Sequence, residues 1–223
     1  MDDLNYKTKV VDGTEVFYAT EWISELEKEI HFNWYYHQAR IVYQNCTRNQ
    51  RLLEIGLGTG LLSGLLKKRG WSIKTLDIDS GKDPDFAEDA MNFDYVKHQF
   101  GVVLAFEIFE HMPFSVFENV VKQFSSSGVR SVYFSIPWNE RELINLHLKL
   151  PKTRVMKWRV AIPAGKITTH AHFWELATRK KRTGQKQLIP LPEVERVFEL
   201  NGFRLRRLDK VGYIQFLAAE RTD

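Results

Sequence analysis

Arg51-Leu52-Leu53-Glu54-Ile55-Gly56-Leu57-Gly58-Thr59-Gly60, answered further on by Leu76-Asp77-Ile78-Asp79, is the stretch that decides the fold. The run before Gly56 reads as a short buried strand that stops at three alternating glycines. Leu61 to Arg69 has helical spacing and ends at Gly70, and Trp71 to Leu76 reads as the next strand, closed by Asp77. Strand, glycine turn, helix, strand and acid in that order open a doubly wound nucleotide-binding sheet. Glycines accept positive φ and let the backbone approach a bound group closely. The helix they open presents unpaired N–H groups, which favour an anionic group at that end. Asp77 lies 21 residues after Gly56, near the spacing at which an acid at a strand end accepts from ribose hydroxyls.

The pattern is G-x-G-x-G, with Leu61 where the dinucleotide fingerprint would place its last glycine. Glu54 directly before the turn, and the whole Glu-Ile-Gly-x-Gly-x-Gly string, resemble motif I of the class I S-adenosylmethionine (SAM) methyltransferases. The resemblance implies that Glu54, Gly56, Leu57, Gly58, Thr59 and Gly60 cradle SAM, with Asp77 and Ile78 at its ribose. Phe86-Ala87-Glu88-Asp89-Ala90 looks like the third motif, in which Asp89 meets the adenine amino group beside Ala90. Val102 to His111 looks like the fourth, and brings Phe106 to the cofactor. The likeness covers about residues 50 to 136, with a weaker match at 191 to 219.

What the resemblance implies for the fold is an α/β, Rossmann-like, seven-stranded sheet, mostly parallel with an antiparallel last strand. A single methyltransferase domain would span 1–223, with a helical cap at 1–46 and a substrate-side insertion at 138–190 after the fifth strand. Residues 20 to 44 read as a long helix, with Trp22, Leu26, Ile30, Trp34, Tyr35, Ala39 and Val42 near i, i+4 spacing. Many SAM methyltransferases lay such a helix over the cofactor. Ser80-Gly81-Lys82-Asp83-Pro84 is turn chemistry, so the helix expected after Asp77 is absent or reduced to one turn.

Composition narrows the setting. At 223 residues and 43% apolar the chain can bury one sizeable core. Cys46 is its one cysteine, which excludes a disulfide framework. Met1-Asp2-Asp3 lacks the basic and apolar parts of a signal peptide, and Glu107 and Glu110 interrupt the best apolar stretch, so the expectation is a soluble, cytoplasmic protein without a membrane partner. Nothing in the sequence speaks to oligomeric state. The net charge of +4 is uneven: residues 149–186 hold eleven Lys or Arg against Glu175 alone. A basic insertion over the reacting methyl favours an anionic acceptor, either a small molecule or a nucleic acid.

The chemistry-bearing residues follow the fourth strand. Glu107, Glu110 and His111 stand at its carboxyl end, where ligands bind in open α/β sheets. If the chain winds into a turn from Glu107, positions i, i+3 and i+4 face the same way. The trio then supports cofactor binding alone, a general base set centred on His111, or part of a divalent metal site such as Mg²⁺. The Glu-x-x-Glu-His string resembles two groups of O-methyltransferases, those of ubiquinone biosynthesis and, more weakly, the small-RNA 3′-terminal 2′-O-methyltransferases. In the second group a downstream histidine completes a metal site, which would make Glu107, Glu110, His111 and His172 the ligands here. His170-Ala171-His172-Phe173-Trp174-Glu175 in the insertion offers that histidine.

Oxygen methylation is therefore expected, with Glu107 and His111 nearest the reaction and His170 or His172 reaching in from the insertion. A nicotinamide reductase of the short-chain kind would need Tyr-x-x-x-Lys, and no tyrosine here has a lysine four residues on. The non-enzyme alternative is a SAM-binding or partner-binding module without activity.

Overall fold

A computed structural model describes residues 7–11, 13–18, 26–153, 156–167 and 169–222. In chain order they form a hairpin of β1 (Lys7–Val11) and β2 (Thr14–Tyr18), then α1 (Glu29–Asn45), β3 (Arg51–Ile55), α2 (Leu61–Lys68) and β4 (Ser72–Asp77). The two-residue β5 (Phe86–Ala87), the single turn α3 (Tyr95–His98), β6 (Val102–Phe106), α4 (Phe114–Ser126) and β7 (Ser131–Pro137) follow. The insertion holds β8 (Glu140–Leu148), β9 (Met156–Pro163), β10 (Trp174–Ala177), β11 (Lys181–Thr183) and β12 (Lys186–Pro190). The chain closes with α5 (Leu191–Leu200), β13 (Phe203–Val211) and β14 (Ile214–Arg221).

The main sheet has seven strands in the order β13-β14-β7-β6-β3-β4-β5. β3 is parallel to both β4 and β6, β6 is parallel to β7, and β14 enters antiparallel between β13 and β7. This is the expected Rossmann-like sheet with an antiparallel last strand. Its strand order reverses between β3 and β6, because β4 and β5 build outward from one side of β3 and β6 and β7 from the other. A crevice at such a reversal is where open α/β sheets bind ligands. The glycine turn after β3 and the acidic string after β6 flank it.

Period-2 alternation along β6 explains why helices cover both faces. Val102, Leu104 and Phe106 pack with Trp34, Ile41, Leu62 and Leu66 of α1 and α2, while Val103 and Ala105 pack with Phe117, Val120 and Phe124 of α4 and Phe198 of α5. All five β6 side chains are buried. Stacking of Phe134 on Phe198, with centroids 5.1 Å apart, fastens α5 to β7.

Several boundaries differ from the expectation. The long helix starts at Glu29, since Lys28 is its extended N-cap; Trp22 and residues 20–25 lie outside the described set. The segment 1–46 is not wholly helical, because β1 and β2 pair as a hairpin within it. After Asp77 the chain makes one 3-10 turn at Ser80–Lys82, the reduced helix expected there. Glu107 does not begin a helical turn: it sits at φ +54°, and the 3-10 turn runs from Phe109 to His111. Among the described residues no helix is long and apolar enough to cross a membrane.

Candidate active site

The glycine turn is fixed by geometry that only glycine tolerates at its first position. Gly56 has φ +79°, and a Cβ there would lie 1.8 Å from Ile108 Cδ1. Gly58 and Gly60 also take positive φ, and Gly60 opens α2 without a side-chain cap. Asp77 holds the turn from the next strand: its Oδ2 accepts from Leu57 N at 2.8 Å and from Lys82 Nζ at 3.0 Å, and its Oδ1 accepts from Asp79 N at 2.9 Å. A carboxylate has about four acceptor positions, so roughly one remains for a ligand hydroxyl. α1 reaches over this turn, with Tyr35 Oη and Thr59 Oγ1 3.2 Å apart. Leu26 lies 4.0 Å from where a Gly58 Cβ would stand.

Glu54 lies under the turn, 6% exposed, with its Oε2 lacking a hydrogen-bond partner. Burial raises its carboxyl to about 8, against the opposing pull of Ser63 and Lys67. Further along, Asp89 and Ala90 are buried beyond β5, and Asp89 Oδ1 accepts from Met91 N at 2.9 Å. Ile78 packs against the α4-side core, and Phe106 is buried at the end of β6 on the other face.

The second half of the site surrounds the string after β6. Ser135 on β7 accepts from Glu107 N at 3.1 Å and donates to Glu107 Oε1 at 2.7 Å, so one hydroxyl fixes both backbone and carboxylate. Glu110 is wholly buried, and neither carboxylate oxygen has a partner. Burial, and then the neighbouring Glu107, push its pKa well above the ordinary carboxylate range. Burial also brings Glu107 up to about 8, with the Ser135 hydrogen bond opposing and Glu175 adding to the rise.

Two imidazoles complete the cluster. His111 Nδ1 lies 3.2 Å from the Ala171 carbonyl and His172 Nδ1 lies 2.8 Å from Glu175 Oε1. Both partners are acceptors, so each Nδ1 carries a proton. The rings meet edge to face with centroids 4.9 Å apart. Burial first, then His172, lower His111 to about 3, so it is neutral at physiological pH. Ligand atoms of Glu110, His111 and His172 all lie within 4.8 Å of one another. Ligands on opposite sides of a divalent ion stand about 4.2 Å apart, so an ion would draw them in by only a few tenths of an ångström each.

The insertion supplies His172 and holds it rigidly. Phe173 N donates to the Glu110 carbonyl at 2.7 Å, which pins the two segments together. Glu175, the acceptor for His172, in turn accepts from Asn139 Nδ2 at 2.6 Å. His170 does not join the cluster: it is exposed, and its carbonyl accepts from Lys186. Ser135, Asn139 and Glu175 were not among the expected site residues. The i, i+3 spacing of His172 and Glu175 is a sequence signal for that pair alone.

A family model described as a methyltransferase domain matches residues 18–208. No curated protein matches the chain by sequence. Solved structures similar to it include magnesium protoporphyrin IX methyltransferase from Synechocystis with bound SAM, 14% identical over 92% of this chain and 86% of that one, at a TM-score of 0.55. The sugar N-methyltransferase KedS8 from a Streptoalloteichus species is 11% identical over 97% and 98%, at 0.58. A Burkholderia thailandensis 1,6-didemethyltoxoflavin N1-methyltransferase is 14% identical over 100% and 98%, at 0.53. At these identities the likeness is one of fold.

Proposed function

Since the chain belongs to the methyltransferase-domain family, whose model spans residues 18–208, we propose that it transfers the methyl group of SAM to an oxygen atom of an anionic acceptor. The site after β3 fits the cofactor. Gly56, Gly58 and Gly60 leave room for it, Asp77 offers an acceptor position, and Glu54, at the end of β3, has a buried Oε2 without a partner. Bound SAM supplies an electrophilic methyl, so little covalent chemistry falls to the protein. The chain's own task is to hold a nucleophile in line and to manage its proton.

The acceptor side is the cluster of Glu107, Glu110, His111 and His172. One observation carries the reading: two carboxylate oxygens of Glu110 are fully buried without a partner beside the imidazoles of His111 and His172. Orphaned buried oxygens of this kind are costly unless something cationic meets them. A divalent cation held by Glu110, His111 and His172, with Glu107 alongside, would supply the Lewis acidity that lowers the pKa of an acceptor hydroxyl. Asn139, Glu175 and Ser135 orient these groups, as outer hydrogen-bond partners do around metal ligands. Two of the structural relatives named above are N-methyltransferases, so the choice of oxygen rests on this cluster and not on them.

One observation favours a second reading, the 2′-hydroxyl at an RNA 3′ end. The downstream histidine expected from that group of enzymes does come to the Glu-x-x-Glu-His string, through His172. Radiolabelled methyl transfer from SAM, with and without EDTA, tests both readings against anionic small molecules and against small RNAs bearing or lacking the terminal 2′-hydroxyl. Chelation is expected to lower turnover roughly 100-fold, with recovery in Mg²⁺ or Mn²⁺. Glu110→Gln should bind SAM normally yet show no recovery. Undiminished turnover in EDTA would leave His111 as a base and remove the cation.

A further inference from the structure

The longest strands of the insertion, β8 and β9, form a two-stranded antiparallel ribbon that, among the described residues, pairs with no other sheet. Its register places Ile144 opposite Val160, Leu146 opposite Trp158 and Leu148 opposite Met156, so these six side chains share one face. Ile162 continues that face along β9. No charged residue interrupts it between Ile144 and Leu148 or among Met156, Trp158, Val160 and Ile162. All seven are exposed, from 42% for Leu148 and Met156 to 65% for Trp158, and Leu143 and Leu150 add 55% and 47% at its margins.

The other face is finished. Arg159 bonds both Glu140 and Glu142, and Lys210 of β13 bonds Glu140 at 3.0 Å while lying 4.8 Å over the Trp138 ring. The ribbon is thus a β-layer with one satisfied face and one face in want of a cover. A lone two-stranded ribbon is marginal in water, and it gains stability when an apolar face packs on something. At about half exposure each, the apolar side chains present on the order of 700 Å², larger than the biggest patch on most monomers and near the ~800 Å² each partner gives to a standard interface.

We infer that the apolar face of the β8–β9 ribbon is the contact surface of a two-fold homodimer, in which it packs on the same face of a second copy. An isologous contact needs a patch complementary to itself, and cross-strand rows of Ile, Val, Leu, Met and Trp interdigitate with their own kind as the inner faces of a sandwich do. A second copy is also the one occupant always present in water where the chain folds. The register puts Arg141 opposite Ile162 at one end of the face, and no charged side chain stands within the apolar rows themselves.

The surface is continuous with the candidate site through Asn139. This residue stands between β7 and β8, and its side-chain oxygen accepts from Gly165 N at 3.0 Å, just past the end of β9. Its carbonyl accepts from Ala164 N, and its amide holds Glu175, the partner of His172. Both strands of the ribbon therefore close, at its base, on the residue whose amide holds the partner of His172.

Sedimentation velocity and light scattering on the full chain, between about 1 and about 100 μM, test the inference. The expected mass is twice the 26.2 kDa of the chain. Trp158→Glu and Leu146→Glu should each weaken association at least roughly 30-fold, as loss of a central interface anchor does. Asn145→Glu, on the ribbon's polar face, should keep the dimer. Both face residues lie outside the two cores, so unchanged far-ultraviolet dichroism and thermal midpoint of the monomeric variants separate loss of contact from loss of fold. A wild-type monomer across that range overturns the inference, as does a doubled mass in both glutamate variants. A monomer that floats with phosphatidylserine vesicles and loses this on Trp158→Glu also overturns it, and assigns the face to lipid.

Discussion

At the scale of single residues, Glu54 and Gly56 make opposite kinds of contribution. Burial raises the Glu54 carboxyl to about 8. The folded chain therefore holds a proton there that the unfolded chain releases near pH 4.5, and stability falls as pH rises between those values. Glu54→Gln removes this penalty, so its thermal midpoint should exceed wild type at pH 8 to 9 and converge with it near pH 5. If Glu54 belongs to the proposed SAM cradle, the same variant should bind SAM more weakly in calorimetry; equal affinity would remove Glu54 from it. Gly56→Ala places a methyl against Ile108 at a backbone angle that alanine resists. We expect a loss of about 2–3 kcal/mol in urea unfolding. Ile108→Ala in the same chain should relieve the collision but not the backbone strain, so recovery should be partial.

At the scale of elements, Asp85 ties α2, β4 and the start of β5 together. It accepts from Lys67 at 3.0 Å, from Lys74 at 2.7 Å and from both the N–H and hydroxyl of Thr75. Burial alone would raise its pKa, but these donors outweigh it and hold the carboxyl far below the usual range. A depressed folded pKa gives stability that is complete above the unfolded value, about 3.9, and that drains away as pH falls toward the folded one. Asp85→Asn should cost about 2 kcal/mol at pH 7, and its deficit should shrink below pH 4. The strands and helices around this tie were legible in the sequence, since glycine punctuation and apolar runs report local geometry directly. The hairpin of β1 and β2 and the ribbon of β8 and β9 were not read, although each joins strands adjacent in sequence: Asp12-Gly13 is a hairpin dipeptide, whereas the mixed charged and apolar residues of the ribbon carry no comparable turn signal. The placement of Glu107 was missed because its left-handed backbone comes with hydrogen bonds to Ser135 on a neighbouring strand, which sequence neighbours do not report.

At the scale of the whole molecule, ligands that bind only the folded chain should raise its melting temperature. SAM at about 100 times its dissociation constant adds about 2.7 kcal/mol, which for a chain of 223 residues is a rise of about 5–10 °C. Scanning fluorimetry reads this, and NADH should give no shift. The turn from Gly56 to Gly60 and its brace Asp77 were legible because they belong to successive elements of one β3-α2-β4 unit, and their place at a cofactor is part of the proposal. The acceptor half was readable only as fragments, since the Glu-x-x-Glu-His string meets His172 across 61 residues of chain and only the three-dimensional fold says which histidine arrives. Asn139 sits where those fragments are tied, grasping both feet of an arm that reaches away from the sheet and, through Glu175, steering an imidazole. A shift at the base of the arm would reach that ring through two consecutive hydrogen bonds, Asn139 to Glu175 and Glu175 to His172.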